Sequence, residues 1–177
     1  MNRTEVIQHA MECRLVGGSI DTIKLAYRLG IEVYGDEEAE DFNAEITHLP
    51  GPNRFEIVVN TKHSLTRQRF SIAHEIAHFV LHRDRIEKYG SLRRGRDATD
   101  PGFDAEIEKE ADELAEELLM PEILLKEKFP EAFSQVWLTL ELIQRIAHQL
   151  KVSVVVAAVR LRNLGRKVPY ISFSYGS

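Results

Sequence analysis

The stretch Arg-Phe-Ser-Ile-Ala-His-Glu-Ile-Ala-His-Phe-Val-Leu-His, residues 69–82, decides the fold of this chain. It contains no Gly or Pro and is apolar around most of its circumference, which predicts a buried helix. His74, Glu75 and His78 within it form the motif H-E-x-x-H. On a helix these three side chains fall within one sector about 100° wide. Ionisable groups confined to one strip of a buried helix indicate a functional site.

The two histidines of the motif are spaced to bind one metal ion. Positions i and i+4 place their Cβ atoms about 5–6 Å apart, so both imidazoles can reach a metal at about 2.0–2.1 Å. Glu75 lies one step around the helix, beside the metal, where a general base for a metal-bound water would sit. His82 is too far along the axis to share a metal with His74 on a straight helix. We therefore expect His82 to support a ligand from behind or to cap the helix.

A second helix, predicted over residues 104–119, offers a third ligand. Glu108 lies about 60° from the centre of its apolar stripe, whereas Glu110 and Asp112 lie about 100° from it. A catalytic zinc ion takes three protein ligands and keeps one position open for water. Glu108 is the predicted third ligand. Asp104 is the alternative, because it lies nearer to the centre of the stripe by angle. It is the second choice because it lies at the expected N-cap, where its side chain would cap the helix. Asp112 is predicted to hydrogen-bond a ligand histidine.

Composition limits the possible classes of protein. The 177 residues are 44% apolar and 29% charged, which is ordinary for one soluble globular domain. A net charge of −5 argues weakly against a nucleic-acid binder. Cys13 is the only cysteine, so an intramolecular disulfide or a cysteine-based metal site is excluded. With neither a signal-peptide pattern nor a membrane-spanning run, we expect a cytoplasmic protein.

The remaining pattern predicts an α+β fold. Strands are predicted at 31–34, 43–49 and 55–59, the last two forming a hairpin across Pro50-Gly-Pro-Asn53. The expected architecture is zincin-like, with a small mixed or antiparallel sheet packed on the H-E-x-x-H helix. A bound peptide could then lie along strand 55–59, taken as an edge strand. Residues 83–103 are predicted to form a long loop, either solvated or a flap over the site.

The C-terminal part has helix-turn-helix spacing. Thr139 is predicted to cap a helix over 140–150, and a second helix follows from Val152. The local charge is basic, but the run Val154 to Val156 sits where a DNA-reading helix would carry polar side chains. We therefore favour a helical pair packed on the rest of the chain. The predicted division is a metallopeptidase domain over 1–130 and a helical subdomain over 131–177.

The quoted motifs resemble those of the ImmA/IrrE family of zinc metallopeptidases. The matching segments are residues 69–82 and residues 108–121, Glu-Lys-Glu-Ala-Asp-Glu-Leu-Ala-Glu-Glu-Leu-Leu-Met-Pro. Ala77 stands where that family commonly has Gly, and Leu114 where it commonly has Phe. The resemblance implies a gluzincin-like fold, one zinc ion on His74, His78 and Glu108, and catalytic Glu75.

The resemblance also implies a function in regulation of transcription. The expected activity is intracellular hydrolysis of a peptide bond in a regulatory protein, typically a helix-turn-helix repressor. The alternative is a zinc-containing regulatory protein without peptidase activity that binds a repressor or DNA. Neither a membrane nor DNA is the expected partner.

Overall fold

A computed structural model describes residues 1–37, 42–92 and 105–170 of the chain. The predicted N-cap Asp104 and residues 93–103 of the predicted loop lie outside these residues. Within them the α+β prediction is confirmed, since the chain forms a small sheet and a larger set of helices. The strands are β1 (Ile31–Asp36), β2 (Ala44–His48) and β3 (Phe55–Asn60). The helices are α1 (Arg3–Glu12), α2 (Thr22–Arg28), α3 (Leu65–Leu81), α4 (Arg83–Tyr89), α5 (Ala105–Leu119), α6 (Glu122–Lys128), α7 (Glu131–Ser134), α8 (Leu140–Leu150) and α9 (Val154–Asn163).

The sheet is mixed and has the strand order β1-β3-β2. β1 runs parallel to β3, and β2 runs antiparallel to β3 as the predicted hairpin requires, with Ile46 opposite Ile57. The prediction that residues 55–59 form an edge strand was wrong, because β3 is paired on both sides. β2 pairs with one side of β3, as the hairpin predicts, but β1 pairs with the other side, so that β2 rather than β3 lies at the edge of the sheet.

Helix α3 forms the centre of the molecule. Ser64 caps it by accepting a hydrogen bond from the Arg67 N–H, and every side chain from Ser71 to Phe79 is buried. One side packs on the sheet, where the Phe55 and Phe79 rings meet edge-on with centroids 5.0 Å apart. Its most extensive helical partner is α5. Because other elements enclose α3, apolar side chains are needed around most of the helix, as its sequence shows.

The predicted loop over 83–103 is helical in its first part. Residues Arg83–Tyr89 form α4, which ends at Gly90 with a φ of 86°. A positive φ is accessible to glycine at little cost, and Gly90 therefore lets the chain turn directly after the helix. The Gly90 carbonyl accepts a hydrogen bond of 2.8 Å from the His48 N–H of β2. Gly90 and Ser91 consequently lie along part of the outer edge of β2.

The C-terminal helices are attached to the rest of the chain by two arginines. The Arg69 Nε of α3 donates to the carbonyl oxygen of Lys151, between α8 and α9, at 3.2 Å. Arg160 of α9 is buried and donates from Nε to the Met120 carbonyl oxygen at 3.1 Å. The predicted cap Thr139 accepts a hydrogen bond from the Leu142 N–H, and Ser153 caps the second helix by accepting one from the Val156 N–H. The contacts of Arg69 and Arg160 hold the helical pair against α3 and the end of α5. The division into two domains at residue 130 stays a prediction.

Among the described helices, no single one is both long and apolar enough to cross a membrane. Only α8 and α9 taken together reach that length and composition, and they are bent by 109° relative to each other.

Candidate metal centre

The side chains of α3 and α5 converge on one point. His74 Nε2 lies 2.9 Å from His78 Nε2. Glu108 reaches in from α5, with its carboxylate oxygens 3.4 Å from His74 Nε2 and 3.2 Å from His78 Nε2. Both histidines are buried, and the Glu108 side chain is 14% exposed. The structure thus brings together all three residues that the sequence predicted as ligands.

The spacing of these ligand atoms fits a small divalent cation. One ligand atom from each of His74, His78 and Glu108 lies within 4.8 Å of the others. A tetrahedral zinc ion with bonds of about 2.0–2.1 Å sets its ligand atoms about 3.3 Å apart. The two Nε2 atoms are 2.9 Å apart, and each lies 3.2–3.4 Å from a different oxygen of the Glu108 carboxylate, which is close to that distance. The His-His-Glu group can therefore hold a metal with little rearrangement, and its chemistry suits zinc among others.

His74 is oriented by a carboxylate on its far side. Its Nδ1 lies 2.8 Å from Asp112 Oδ1, one turn beyond Glu108 on α5. A hydrogen bond at Nδ1 keeps the proton there and leaves Nε2 unprotonated to bind a metal. Asp112 therefore lies where the sequence placed it.

His82 lies directly behind His78. Its backbone is the C-cap of α3, and its N–H donates to the His78 carbonyl oxygen at 2.7 Å. Its ring Nδ1 is 3.1 Å from His78 Nδ1, and its Nε2 is 3.1 Å from Glu110 Oε2. The two roles predicted as alternatives for His82 thus occur together: its backbone caps the helix, and its ring contacts the ligand histidine His78.

Glu75 is buried beside the metal group and held by the sheet. The Ile46 N–H of edge strand β2 donates to Glu75 Oε2 at 3.0 Å. Burial raises the pKa of Glu75 to about 8, against the lowering effects of His74 and the Ile46 N–H. A carboxyl group with a pKa in this range can both accept and return a proton near neutral pH.

The electrostatics of the cluster favour bound cations. Burial lowers the pKa of His74, but hydrogen bonds to Asp112 and Glu108 outweigh this effect and raise the pKa to about 10. Burial alone would raise the pKa of Glu108, but its hydrogen bonds to both histidines hold the pKa well below its usual range. Burial lowers the pKa of His78. A proton and a metal ion therefore compete for the same group of ligands.

Sequence reasoning missed two features around this centre. Glu110 was set aside because it points about 100° from the apolar stripe, yet it reaches His82 from an exposed position. The hydrogen bond from Ile46 to Glu75 depends on how β2 sits against α3, which no local pattern reports. The only signal in the sequence for Glu110 was His82, which extends the H-E-x-x-H row by one turn and would need a partner on the facing helix.

Comparison with protein families identifies the chain. A model of peptidase family M78, described as the IrrE N-terminal-like domain, matches residues 28–162 and covers every residue of the metal centre. The chain belongs to this family. Membership suggests a metallopeptidase-like function, and the resemblance noted from the motifs is confirmed. A comparison with curated proteins finds no match.

Proposed function

We propose that this M78-family chain is a zinc-dependent endopeptidase that cleaves a regulatory protein, with a helix-turn-helix repressor as substrate. The observation that supports it most is the convergence of His74, His78 and Glu108 beside a buried glutamate that the sheet holds in place. In a structural zinc site four protein ligands close the coordination sphere and no base is needed, whereas a catalytic site has three protein ligands and an open position. In this proposal the packing of the sheet on α3 is zincin-like.

The metal would be held by Nε2 of His74, Nε2 of His78 and the Glu108 carboxylate. When bound, it supplies Lewis acidity toward water and toward the peptide carbonyl. Asp112 keeps the Nδ1 proton on His74, so that Nε2 stays available as a ligand. Glu108 adds a negative charge that offsets part of the charge of the cation in a buried site.

Glu75 carries the proton in this mechanism. Its carboxylate takes a proton from the attacking water and later returns it to the leaving amine nitrogen. The hydrogen bond from the Ile46 N–H to Oε2 limits rotation of the carboxylate. Burial excludes bulk water, which strengthens the interaction of the carboxylate with groups beside it.

The substrate backbone is proposed to lie along β2, since β3 is internal. The N–H of Ile46 faces away from β3 toward Glu75, and backbone groups two residues apart in a strand face the same way. The corresponding side of His48 is already bonded to Gly90. Because the Ile46 N–H stays bonded to Glu75, an extended peptide would pair with the outward-facing backbone groups of Ala44 and with the Ile46 carbonyl, which places its carbonyl groups next to Glu75.

Metal content and proteolysis test the proposal together. We expect about one zinc ion per wild-type chain, loss of zinc in His78→Ala, and retention of zinc in Glu75→Gln. Wild-type protein should cleave its repressor substrate, whereas Glu75→Gln should be slower by about 10²–10⁴-fold, the usual contribution of a general base. The measurement is zinc by atomic absorption, and repressor fragments by mass spectrometry after incubation with helix-turn-helix repressors from the same genomic neighbourhood.

Two outcomes would contradict the proposal in different ways. Cleavage by Glu75→Gln at the wild-type rate would remove Glu75 as the base. Zinc-loaded wild type that binds a repressor without cleaving it would favour the alternative, a zinc-containing regulatory protein without peptidase activity.

A further inference from the structure

The two ligand histidines are supported differently on the sides that face away from the metal centre. His74 meets the carboxylate of Asp112 directly, at 2.8 Å. His78 meets a third imidazole, His82, at 3.1 Å. His82 in turn meets a carboxylate, Glu110, at 3.1 Å. A metal-binding histidine almost always donates its second ring N–H to an acceptor, and the acceptor is commonly a carboxylate.

The tautomers along this row are determined once His78 binds a metal through Nε2. Its proton must then be on Nδ1, so His78 donates and His82 Nδ1 accepts. An imidazole that accepts at Nδ1 carries its proton on Nε2, and His82 Nε2 faces Glu110 Oε2. The last acceptor in the row is thus the Glu110 carboxylate. Each contact has one donor and one acceptor, and no ring needs to be charged.

We propose that Glu110 is a positioning residue, which supports the metal ligand His78 through His82. It fixes the tautomer of His82, and His82 in turn fixes the tautomer and ring orientation of His78. This inference rests on the metal site of the proposed function, but it does not depend on peptide hydrolysis. α5 thereby serves both ligand histidines, with Asp112 acting on one and Glu110 on the other.

Burial predicts how strongly each member of the row acts. His82 is buried at 9% exposure, whereas the Glu110 side chain is 56% exposed. A hydrogen bond to an exposed carboxylate competes with water and contributes less than a buried one. Removing His82 should therefore weaken metal binding more than removing Glu110.

Affinity for Zn²⁺, measured by competition with a chromophoric chelator, tests the row without any substrate. We expect His82→Phe, which keeps the ring but removes both nitrogens, to weaken binding by about 10–100-fold. Glu110→Ala should weaken it by about 3–10-fold, and Glu110→Gln should restore part of the loss because an amide oxygen still accepts. The matched control is Glu113→Ala, which removes a half-buried carboxylate from the same helix that pairs, among the described residues, with Lys109.

A double variant separates a hydrogen-bonded row from a general charge effect. Glu110→Ala should have no further effect on Zn²⁺ affinity in the His82→Phe background, because the row is already broken. The visible spectrum of the Co²⁺-loaded protein should shift in His82→Phe, since it reports the orientation of the ligands. Because Glu110 is exposed, its single variants should fold even if His82→Phe does not.

The possible failures are distinguishable. Equal losses in Glu110→Ala and Glu113→Ala, or an equal effect of Glu110→Ala in both backgrounds, would overturn the positioning role alone. Wild type that binds neither Zn²⁺ nor Co²⁺ would overturn the proposed function and this inference together. Metal-loaded wild type without proteolysis would overturn the peptidase activity but leave the role of Glu110 in place.

Discussion

Helix α5 directs carboxyl groups toward other helices in both of its halves, and the two halves are neutralised in different ways. At the first end, Glu108 and Asp112 face the histidines of α3. At the other, buried Glu116 accepts a hydrogen bond of 2.9 Å from Asn163 Nδ2 of α9, close to the buried guanidinium of Arg160. We call these the histidine end and the arginine end.

The difference shows which buried acids serve the structure and which serve a site. The arginine end contains its own permanent cation, since Arg160 stays charged at every accessible pH. The histidine end has imidazoles that are neutral or charged depending on what else binds, so its carboxylate favours a proton or a metal ion. A buried acid beside arginine stabilises a helix contact, whereas a buried acid among histidines creates a binding site.

The largest expected contrast compares the same substitution at the two ends. Glu108→Gln should abolish measurable Zn²⁺ binding, because it replaces an anionic ligand by a neutral amide. The expected loss of affinity is larger than the factor of about 10–100 that is typical when a group hydrogen-bonded to a metal ligand is removed. Glu116→Gln should leave Zn²⁺ affinity unchanged. Thermal unfolding with Zn²⁺ at about 100 times its dissociation constant should show about 2.7 kcal/mol of stabilisation in Glu116→Gln but none in Glu108→Gln.

The contrast between the ends would fail if both variants lost metal binding to a similar degree. That result would mean that Glu116 maintains the histidine end through the helix. Circular dichroism of both apo-proteins is the control that excludes unfolding as the cause.

A second prediction concerns the cation of the arginine end. Arg160→Met keeps most of the side-chain volume but removes the donor to the Met120 carbonyl oxygen and the positive charge beside Glu116 and Glu117. We expect a loss of about 2–4 kcal/mol in the free energy of unfolding, as for breaking a buried charged contact. Urea denaturation of the apo-protein measures it.

The matched control for Arg160 is its neighbour Arg162, which is exposed on the same helix. Arg162→Met should change the free energy of unfolding by less than about 0.5 kcal/mol. Similar losses in both variants would show that burial of Arg160 has no energetic consequence.

The two ends also differ in how much of them could be predicted from the sequence. The histidine end is specified by local spacing, because i and i+4 positions on α3 and the stripe of α5 place His74, His78, Glu108 and Asp112 on facing sides. The arginine end depends on how α9 packs against α5, and the sequence presents Arg160 only as one of several basic residues. Pairwise packing of distant helices has no local signature.

The same reasoning explains the errors in the fold. β3 was recognised as a strand from its alternation, but its central position depends on pairing with β1 across intervening chain. Helix α4 was missed because it is polar and buries only Ile86, so it lacks the apolar period that identifies a helix. Elements with a strong apolar period were predicted well, and those defined by neighbours were not.

The smallest expected effect is a pH dependence that comes from Glu116. Burial raises the pKa of Glu116 from an ordinary 4.5 to about 7, although Asn163 and Arg160 lower it. Between these two values the folded protein holds a proton that the unfolded chain releases. The free energy of unfolding therefore decreases as the pH rises through this window, and the stabilisation is complete below pH 4.5 and lost above pH 7.

Glu116→Gln removes this titration, because a glutamine is neutral in both states. The free energy of unfolding of Glu116→Gln should rise relative to that of wild type by about 1–3 kcal/mol between about pH 4.5 and pH 8. Urea denaturation with a chelator present measures the difference, and the histidine end cancels because it is the same in both proteins. Glu141→Gln, which removes an exposed carboxylate from α8, should show no such trend. A difference independent of pH would mean that Arg160 and Asn163 keep Glu116 ionised, so that the arginine end is a closed ion pair rather than a protonated acid.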